Sequence, residues 1–229
     1  LLYGASLDTR GLLRDQRGMR IFFCLLILTT CSVAEDWPQY LGPGRDAVWR
    51  EKNVELDFAK RSPRLLWAVP TGGGYAGPSV AEGRVFVVDR LAEPYVAGKL
   101  KPGSNVNFVR ARIPGKERVR CLKESNGEVL WEHAYAADYS SVYPYAIGPR
   151  TTPLVYEGVV YTLGAEGDLR AYTAKEGTLV WHRNILKEYK LETPLWGTAG
   201  HPIVEGELLI CPVGGSGSTV VAFDRRTGK

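Results

Sequence analysis

The chain has 229 residues, 24% of them charged, and a formal net charge of +4. That balance, with no basic stripe interleaved with aromatics, argues against nucleic acid as a partner. Twenty-six glycines and fourteen prolines imply many short elements and many turns, as an all-β protein requires.

The only methionine is Met19. It is followed by Arg20, the apolar run IFFCLLIL over 21–28, and the small-x-small ending Ser32-Val33-Ala34. This order predicts a secretory signal over 19–34, cut after Ala34, and so a periplasmic or secreted protein. The apolar run is too short to span a bilayer, so the mature chain is not expected to be transmembrane. Lipid anchoring at Cys31 is the alternative, though Thr30 before the cysteine fits it poorly. Residues 1–18 precede Met19 and read as non-native upstream translation. Cys24 and Cys31 would leave with the signal, keeping Cys121 and Cys211.

Residues 35–62 read as an extended leader. Its first part, DWPQYLGPGRDAV over 36–48, carries Pro38 and Pro43, which block a helix. Trp37 and Tyr40 are expected to pin it to the domain surface. PRLLWAV over 63–69 reads as a strand carrying Trp67. After it come a glycine-rich loop, a short strand at Ser79-Val80, the Glu82-Gly83 turn and a strand from Arg84 to Asp89. Residues 91–118 break the pattern with Gly and Pro turn points and excess base, and read as an insertion. The pattern resumes at RVRCLK over 118–123, turns at Asn126-Gly127 and closes at Trp131. Residues 132–150 and 182–200 are expected to be connectors.

Residues 151–181, TTPLVYEGVVYTLGAEGDLRAYTAKEGTLVW, hold the one uninterrupted unit: four apolar runs separated by three glycine turns. That is an antiparallel meander. The unit recurs on both sides. Trp131 and Trp181 each stand four residues past a turn glycine, Gly127 and Gly177. Six before the turn glycines Gly127, Gly177 and Gly228 stand Cys121, Ala171 and Ala222. Pro78, Pro153 and Pro202 open the three units. Four strands per repeat of about fifty residues mark a β-propeller blade. The tryptophans Trp67, Trp131 and Trp181 are expected to pack between blades. Residues 63–229 thus read as about three blades of a C-terminally truncated, seven- or eight-bladed propeller. Cys121 and Cys211 fall in different blades, and are expected to be buried free thiols.

The repeats SVAEGRVFVV with CLKESNGEVLW, LVYEGVVYTL with AYTAKEGTLVW, and IVEGELLI with AFDRRTGK resemble the pyrroloquinoline-quinone (PQQ) repeat. The leader DWPQYLGPGRDAV resembles that of exported bacterial PQQ-like propeller proteins. Besides a place as a regulatory or sensor domain in a larger assembly, the resemblance implies two roles. One is a non-catalytic binding or scaffolding module for a protein or small-molecule ligand, as in the barrel-assembly lipoprotein. The other is a quinoprotein dehydrogenase fragment, with PQQ and Ca²⁺ on the axis. The adjacent cysteine pair which that enzyme family uses over its quinone is missing from this sequence.

No catalytic constellation and no metal-spaced histidine pair is readable. His133 and His182 follow the blade tryptophans and are expected to face solvent. His201 is different, because it precedes Pro202 where the innermost strand begins. Arg150, Thr151, Thr152 and Trp196 fall in the equivalent entry loops. Together these five are the candidate ligand-binding residues at the channel mouth, suited to an anionic or planar ligand.

Overall fold

A computed structural model describes residues 35–94 apart from 53, 55 and 56, then residues 112–139 and 147–229. The signal over 19–34, the upstream residues 1–18 and the middle of the insertion lie outside the described residues. Residues 35–229 form one compact unit.

The described chain is almost all β. The first sheet holds β1 (Ser79–Ala81), β2 (Arg84–Ala92), β3 (Gly115–Lys123) and β4 (Val129–Ala136). The second holds β5 (Leu154–Tyr156), β6 (Val159–Leu163), β7 (Asp168–Thr173) and β8 (Leu179–Asn184). The third holds β9 (Ile203–Glu205), β10 (Leu208–Pro212) and β11 (Val220–Asp224). Each sheet is an antiparallel meander in chain order. These are the four-stranded blades of a β-propeller, the third contributing three strands among the described residues.

Alternation along the strands decides which blade each residue faces. In the second blade, Leu154, Tyr161, Leu163, Leu169 and Ala171 join a buried cluster with Val204, Leu209, Cys211 and Phe223 of the third. Val155, Val160, Tyr172 and Ala174 face the other way, onto Phe86, Val88, Val119 and Cys121 of the first. The core therefore lies between blades, and a blade alone would expose both faces. The two cysteines are free and buried in different clusters. Burial pushes the thiol pKa of Cys121 up to about 11 and that of Cys211 to about 12.

One tryptophan per repeat locks each interface. Trp131 Nε1 donates to the carbonyl of Ala174 at 3.0 Å, and Trp181 Nε1 to that of Arg225 at 3.0 Å. Trp67 Nε1 donates to Glu124 at 2.7 Å. Each acceptor lies three residues before a turn glycine: Gly127, Gly177 or Gly228. The outer strands also share a bulge. Leu130 is skipped between β3 and β4, and Val180 between β7 and β8. A bulge twists an outer edge and blunts it against further pairing.

Several boundaries differ from the sequence expectation. Residues 63–69 form no strand. Trp67 makes the repeat contact from a segment that forms no strand pairing among the described residues. The β2–β3 hairpin is longer than expected, since Leu91, Ala92 and residues 115–118 are paired strand rather than insertion. The connectors are shorter: β4 reaches Ala136 and β8 reaches Asn184. A one-turn helix, α1 (Ile185–Glu188), follows, capped by the Asn184 side chain accepting from the Lys187 amide.

Candidate functional site

The innermost strands β1, β5 and β9 each stand at a sheet edge. The leader lies across all three. Trp37 exchanges two main-chain hydrogen bonds with Val80, at 2.8 and 2.9 Å. Val155 donates to the carbonyl of Pro38 at 2.8 Å. Arg45 Nη2 donates to the carbonyl of Val204 at 3.1 Å. Val80, Val155 and Val204 each stand two residues after the proline that opens their repeat. One leader thus reads the same position in three successive blades. Pro38 suits this course, because it fixes an extended backbone and has no N–H to bury.

Beyond Pro38 the leader folds back through a tight turn. Leu41, Arg45 and Ala47 all take left-handed backbone conformations, with φ of 65°, 54° and 59°. Such residues carry strain and need holding. Gly42 closes over the Trp37 indole, where an added Cβ would stand 2.7 Å from the ring. Tyr40 stacks on His201, ring centroids 3.8 Å apart and planes 19° from parallel. Burial lowers the His201 pKa from its ordinary value, so the neutral ring is the form that stacks.

Between this turn and the blade entries lies a cavity of about 710 Å³. Trp37, Tyr40 and Leu41 form its leader wall, and Tyr75, Arg150, Thr152 and His201 its blade wall. Arg150 Nε donates to the Trp196 carbonyl at 2.5 Å, and its guanidinium carbon lies 4.5 Å from the Tyr75 ring centroid. Among the described residues, no Asp or Glu lines the cavity. The arrangement offers aromatic faces and one fixed cation, which suit an apolar, planar body bearing an anionic group.

Of the five residues expected at the mouth, the structure brings Arg150, Thr152 and His201 to one cavity. Thr151 is buried and donates to the Gly200 carbonyl at 3.1 Å, away from the cavity. Trp196 packs beside Ala137, Tyr139 and Ala165, and meets Arg150 through its carbonyl rather than its indole. Strand alternation accounts for Thr151, since adjacent residues face opposite ways. Sequence reading missed Tyr75 and the inward role of Trp37 and Tyr40. Their aromatic character was visible, but the course of the leader was not. His133 and His182 are exposed as expected. His182 Nε2 lies 2.7 Å from Asp168, and His133 stacks on Tyr172.

A second polar cluster is built around the buried Glu117, Tyr139 and Arg90. Glu117 of β3 accepts from Tyr135 at 2.6 Å, Tyr139 at 2.5 Å and the Ala165 amide at 2.9 Å. Arg90 lies 3.9 Å over the Tyr139 ring and donates to the carbonyls of Ile113 and Ala137. Burial raises the Glu117 pKa, partly opposed by those three donors. Gly164 leaves the room this needs: a Cβ there would meet Glu117 Oε2 at 2.0 Å.

The propeller blades, the repeat tryptophans and the leader define the PQQ-like class of β-propeller. The family model described as "Outer membrane protein assembly factor BamB" matches residues 47–229, and the chain belongs to that family. Among solved structures, the chain is similar to the quinohemoprotein alcohol dehydrogenase from Comamonas testosteroni. The TM-score is 0.51 and the identity 17%, over 85% of this chain and 26% of that one. It is also similar to BamB from Moraxella catarrhalis, with a TM-score of 0.37 and 15% identity, over 72% of this chain and 53% of that one. The chain therefore spans less than two thirds of either structure. No curated protein matches it.

The quinoprotein dehydrogenase alternative of the sequence resemblance implies PQQ and a calcium ion. Calcium takes six to eight oxygen ligands, with carboxylates prominent among them. Among the described residues the mouth cavity supplies the hydroxyls of Tyr40, Tyr75 and Thr152, one imidazole and one guanidinium, and no carboxylate. That donor set does not fit a calcium–quinone site. Among the described residues no group of three His, Cys, Asp or Glu is arranged as metal ligands, and no helix is long and apolar enough to cross a membrane.

Proposed function

We propose that this chain belongs to an exported, non-catalytic binding propeller, and that its ligand sits in the mouth cavity. The observation that carries this reading is the meeting of Trp37, Tyr40 and Tyr75 with Arg150 around about 710 Å³ of space. Ligand pockets of roughly 300–1,000 Å³ hold drug-sized molecules or a few residues of a peptide. The walls come from the leader and from three separate entry loops, so a ligand would bind across the blade junctions. The family match to an assembly factor is in keeping with a binding role, and the ligand class we favour is planar and anionic.

Titration of the protein with a panel of aromatic acids, followed by tryptophan fluorescence, tests this. Saturable binding that is lost in Arg150→Ala supports the reading. The same protein is then incubated with PQQ, Ca²⁺, an alcohol panel and an electron-accepting dye. Dye reduction above that of a heat-denatured control would sink the non-catalytic reading in favour of a dehydrogenase.

A further inference from the structure

The entry prolines Pro78, Pro153 and Pro202 set a pattern in the mouth wall. The residues one before each, Gly77, Thr152 and His201, line the cavity, and so do the residues three before, Tyr75, Arg150 and Ala199. The residues two before them make main-chain contacts instead. The Ala76 amide donates to the Pro149 carbonyl at 3.1 Å, and the Thr151 hydroxyl to that of Gly200 at 3.1 Å. Strand-like alternation thus builds two layers of wall, each repeated across three blades.

The layers differ in chemistry. The layer three before the prolines carries the charge. Arg150 commits its Nε to the Trp196 carbonyl and lays its guanidinium over Tyr75. Its two Nη groups have no hydrogen-bond partner among the described residues, and such a fork takes a carboxylate through both nitrogens. Arg150 is the one Lys or Arg in the wall among the described residues, so a single negative charge matches it. The layer one before the prolines is uncharged. Thr152 is 7% exposed, and its hydroxyl has no partner among the described residues. A buried hydroxyl left unpaired costs free energy, which a ligand group pairing with it restores. An added Cβ at Gly77 would come to 3.5 Å from that hydroxyl, so the glycine keeps its approach open. His201 adds a ring nitrogen in the same layer.

We propose, resting on the mouth reading above, that the ligand is an N-acylated aromatic monocarboxylate: its carboxylate on Arg150, its amide on Thr152 and His201, its ring along Trp37 and Tyr40 of the leader. The C-terminal aromatic residue of a peptide and a free N-acyl aromatic amino acid share this chemistry. One carbon carries the carboxylate, the amide and the ring, so one ligand reaches both layers and the leader wall together. The acyl group matters because it replaces an ammonium with an uncharged N–H. An ammonium would face Arg150 with no carboxylate to answer it, since no Asp or Glu lines the cavity among the described residues. The amide N–H needs only an acceptor, which the Thr152 hydroxyl supplies.

Tryptophan fluorescence of the native protein, titrated with four probes, is the test: N-acetylphenylalanine, its C-terminal amide, free phenylalanine and 3-phenylpropionate. N-acetylphenylalanine should bind tightest. Its amide and free phenylalanine should each bind at least about tenfold more weakly, and 3-phenylpropionate, which lacks the acylamino group, about fivefold more weakly. Thr152→Val keeps the side-chain shape and removes the hydroxyl, so the affinity ratio of N-acetylphenylalanine to 3-phenylpropionate should fall close to one. Free phenylalanine that binds as tightly as its N-acetyl form, or an unchanged ratio in Thr152→Val, overturns the proposal. The mouth reading survives that result if 3-phenylpropionate binds and Arg150→Ala abolishes its binding. If none of the four binds, the mouth reading falls and this inference with it. An acetylated tripeptide ending in phenylalanine separates the two sources: tighter binding than N-acetylphenylalanine assigns the site to a peptide C-terminus, and equal binding to a free N-acyl amino acid.

Discussion

The indole of Trp131 lies under Gly177 of the following blade. A Cβ added at Gly177 would stand 2.5 Å from Trp131 Cδ2, while Nε1 of the same ring donates to Ala174. Trp67 has the same relation to Gly127, and Trp181 to Gly228. The glycine is therefore required twice, for its positive φ of 72° and for the space its missing side chain leaves. Gly158 isolates the first requirement, since its φ is 71° and nothing lies within 4 Å of its Cβ position. Gly158→Ala should cost about 1–2 kcal/mol, the penalty of left-handed backbone alone. Gly177→Ala should cost about 1–3 kcal/mol more, from overpacking. Trp131→Ala should cost about 3–5 kcal/mol. Urea unfolding midpoints order the three variants. Equal costs for the two glycines would mean that the indole does not need the space.

The blades were readable from sequence because their packing has a short period. Turn glycine, small residue and tryptophan recur at fixed spacings, and each is demanded by a contact with the neighbouring blade. The leader was readable only as extended. What it contacts is set by long-range geometry, Trp37 with Val80 and Arg45 with Val204, which no local pattern encodes. Three of the five mouth residues meet at one cavity because all three blades open on the same side. Thr151 and Trp196 fall outside it for local reasons, a strand-like alternation and a loop that turns its indole inward. The Glu117 cluster was invisible, because Gly167 and Ser218 hold its place in the other repeats and nothing marks it as special.

Glu117 gives a pH prediction. Its pKa is raised above the ordinary 4.5, burial being the larger cause and the bonds from Tyr135 and Tyr139 opposing it. The native state then holds the proton more tightly than the unfolded chain. The group's contribution to stability is complete below about pH 4.5 and declines as pH rises through the folded value. Glu117→Gln should flatten that decline, which unfolding midpoints between pH 4 and 7 would show. An unchanged slope would mean that the three donors fully offset the burial. Gly164→Ala should destabilise at every pH, since its Cβ must displace the Glu117 carboxylate.

Asp89 should act with the opposite sign. It is buried and held by Arg118 through two bonds, at 2.8 and 2.6 Å, and by the Gly72 amide at 2.6 Å. Burial would raise its pKa, but Arg118 and the amide outweigh it and the net shift is downward from 3.8. Its stabilisation is present above the ordinary value and lost as pH falls through the folded one. Asp89→Asn should therefore be least stable relative to the native protein near neutral pH, by about 3–5 kcal/mol for a broken buried pair. The two curves should converge below pH 3. A gap that persists in acid would assign Asp89 a packing role instead.

The leader turn should respond to His201. The neutral ring stacks on Tyr40, and burial holds its pKa below the ordinary 6.5. The unfolded or undocked form binds the proton more readily. Docking is thus fully favoured above about pH 6.5 and weakens as pH falls through the window down to the lowered value. The strain at Leu41, Arg45 and Ala47 pulls in the direction of release. Hydrogen exchange at the Trp37 and Val80 amides, which bond each other's carbonyls, reports the docked state. Exchange corrected for its intrinsic pH dependence should accelerate between pH 7 and 5.5 in the native protein. His201→Phe keeps a ring for Tyr40 and removes the titration, so its corrected exchange should be flat over the same range. Tyr40→Ala should exchange faster at both pH values, and should weaken any ligand that spans the leader wall and Arg150. If His201→Phe retains the pH response, the stack is not what senses the proton.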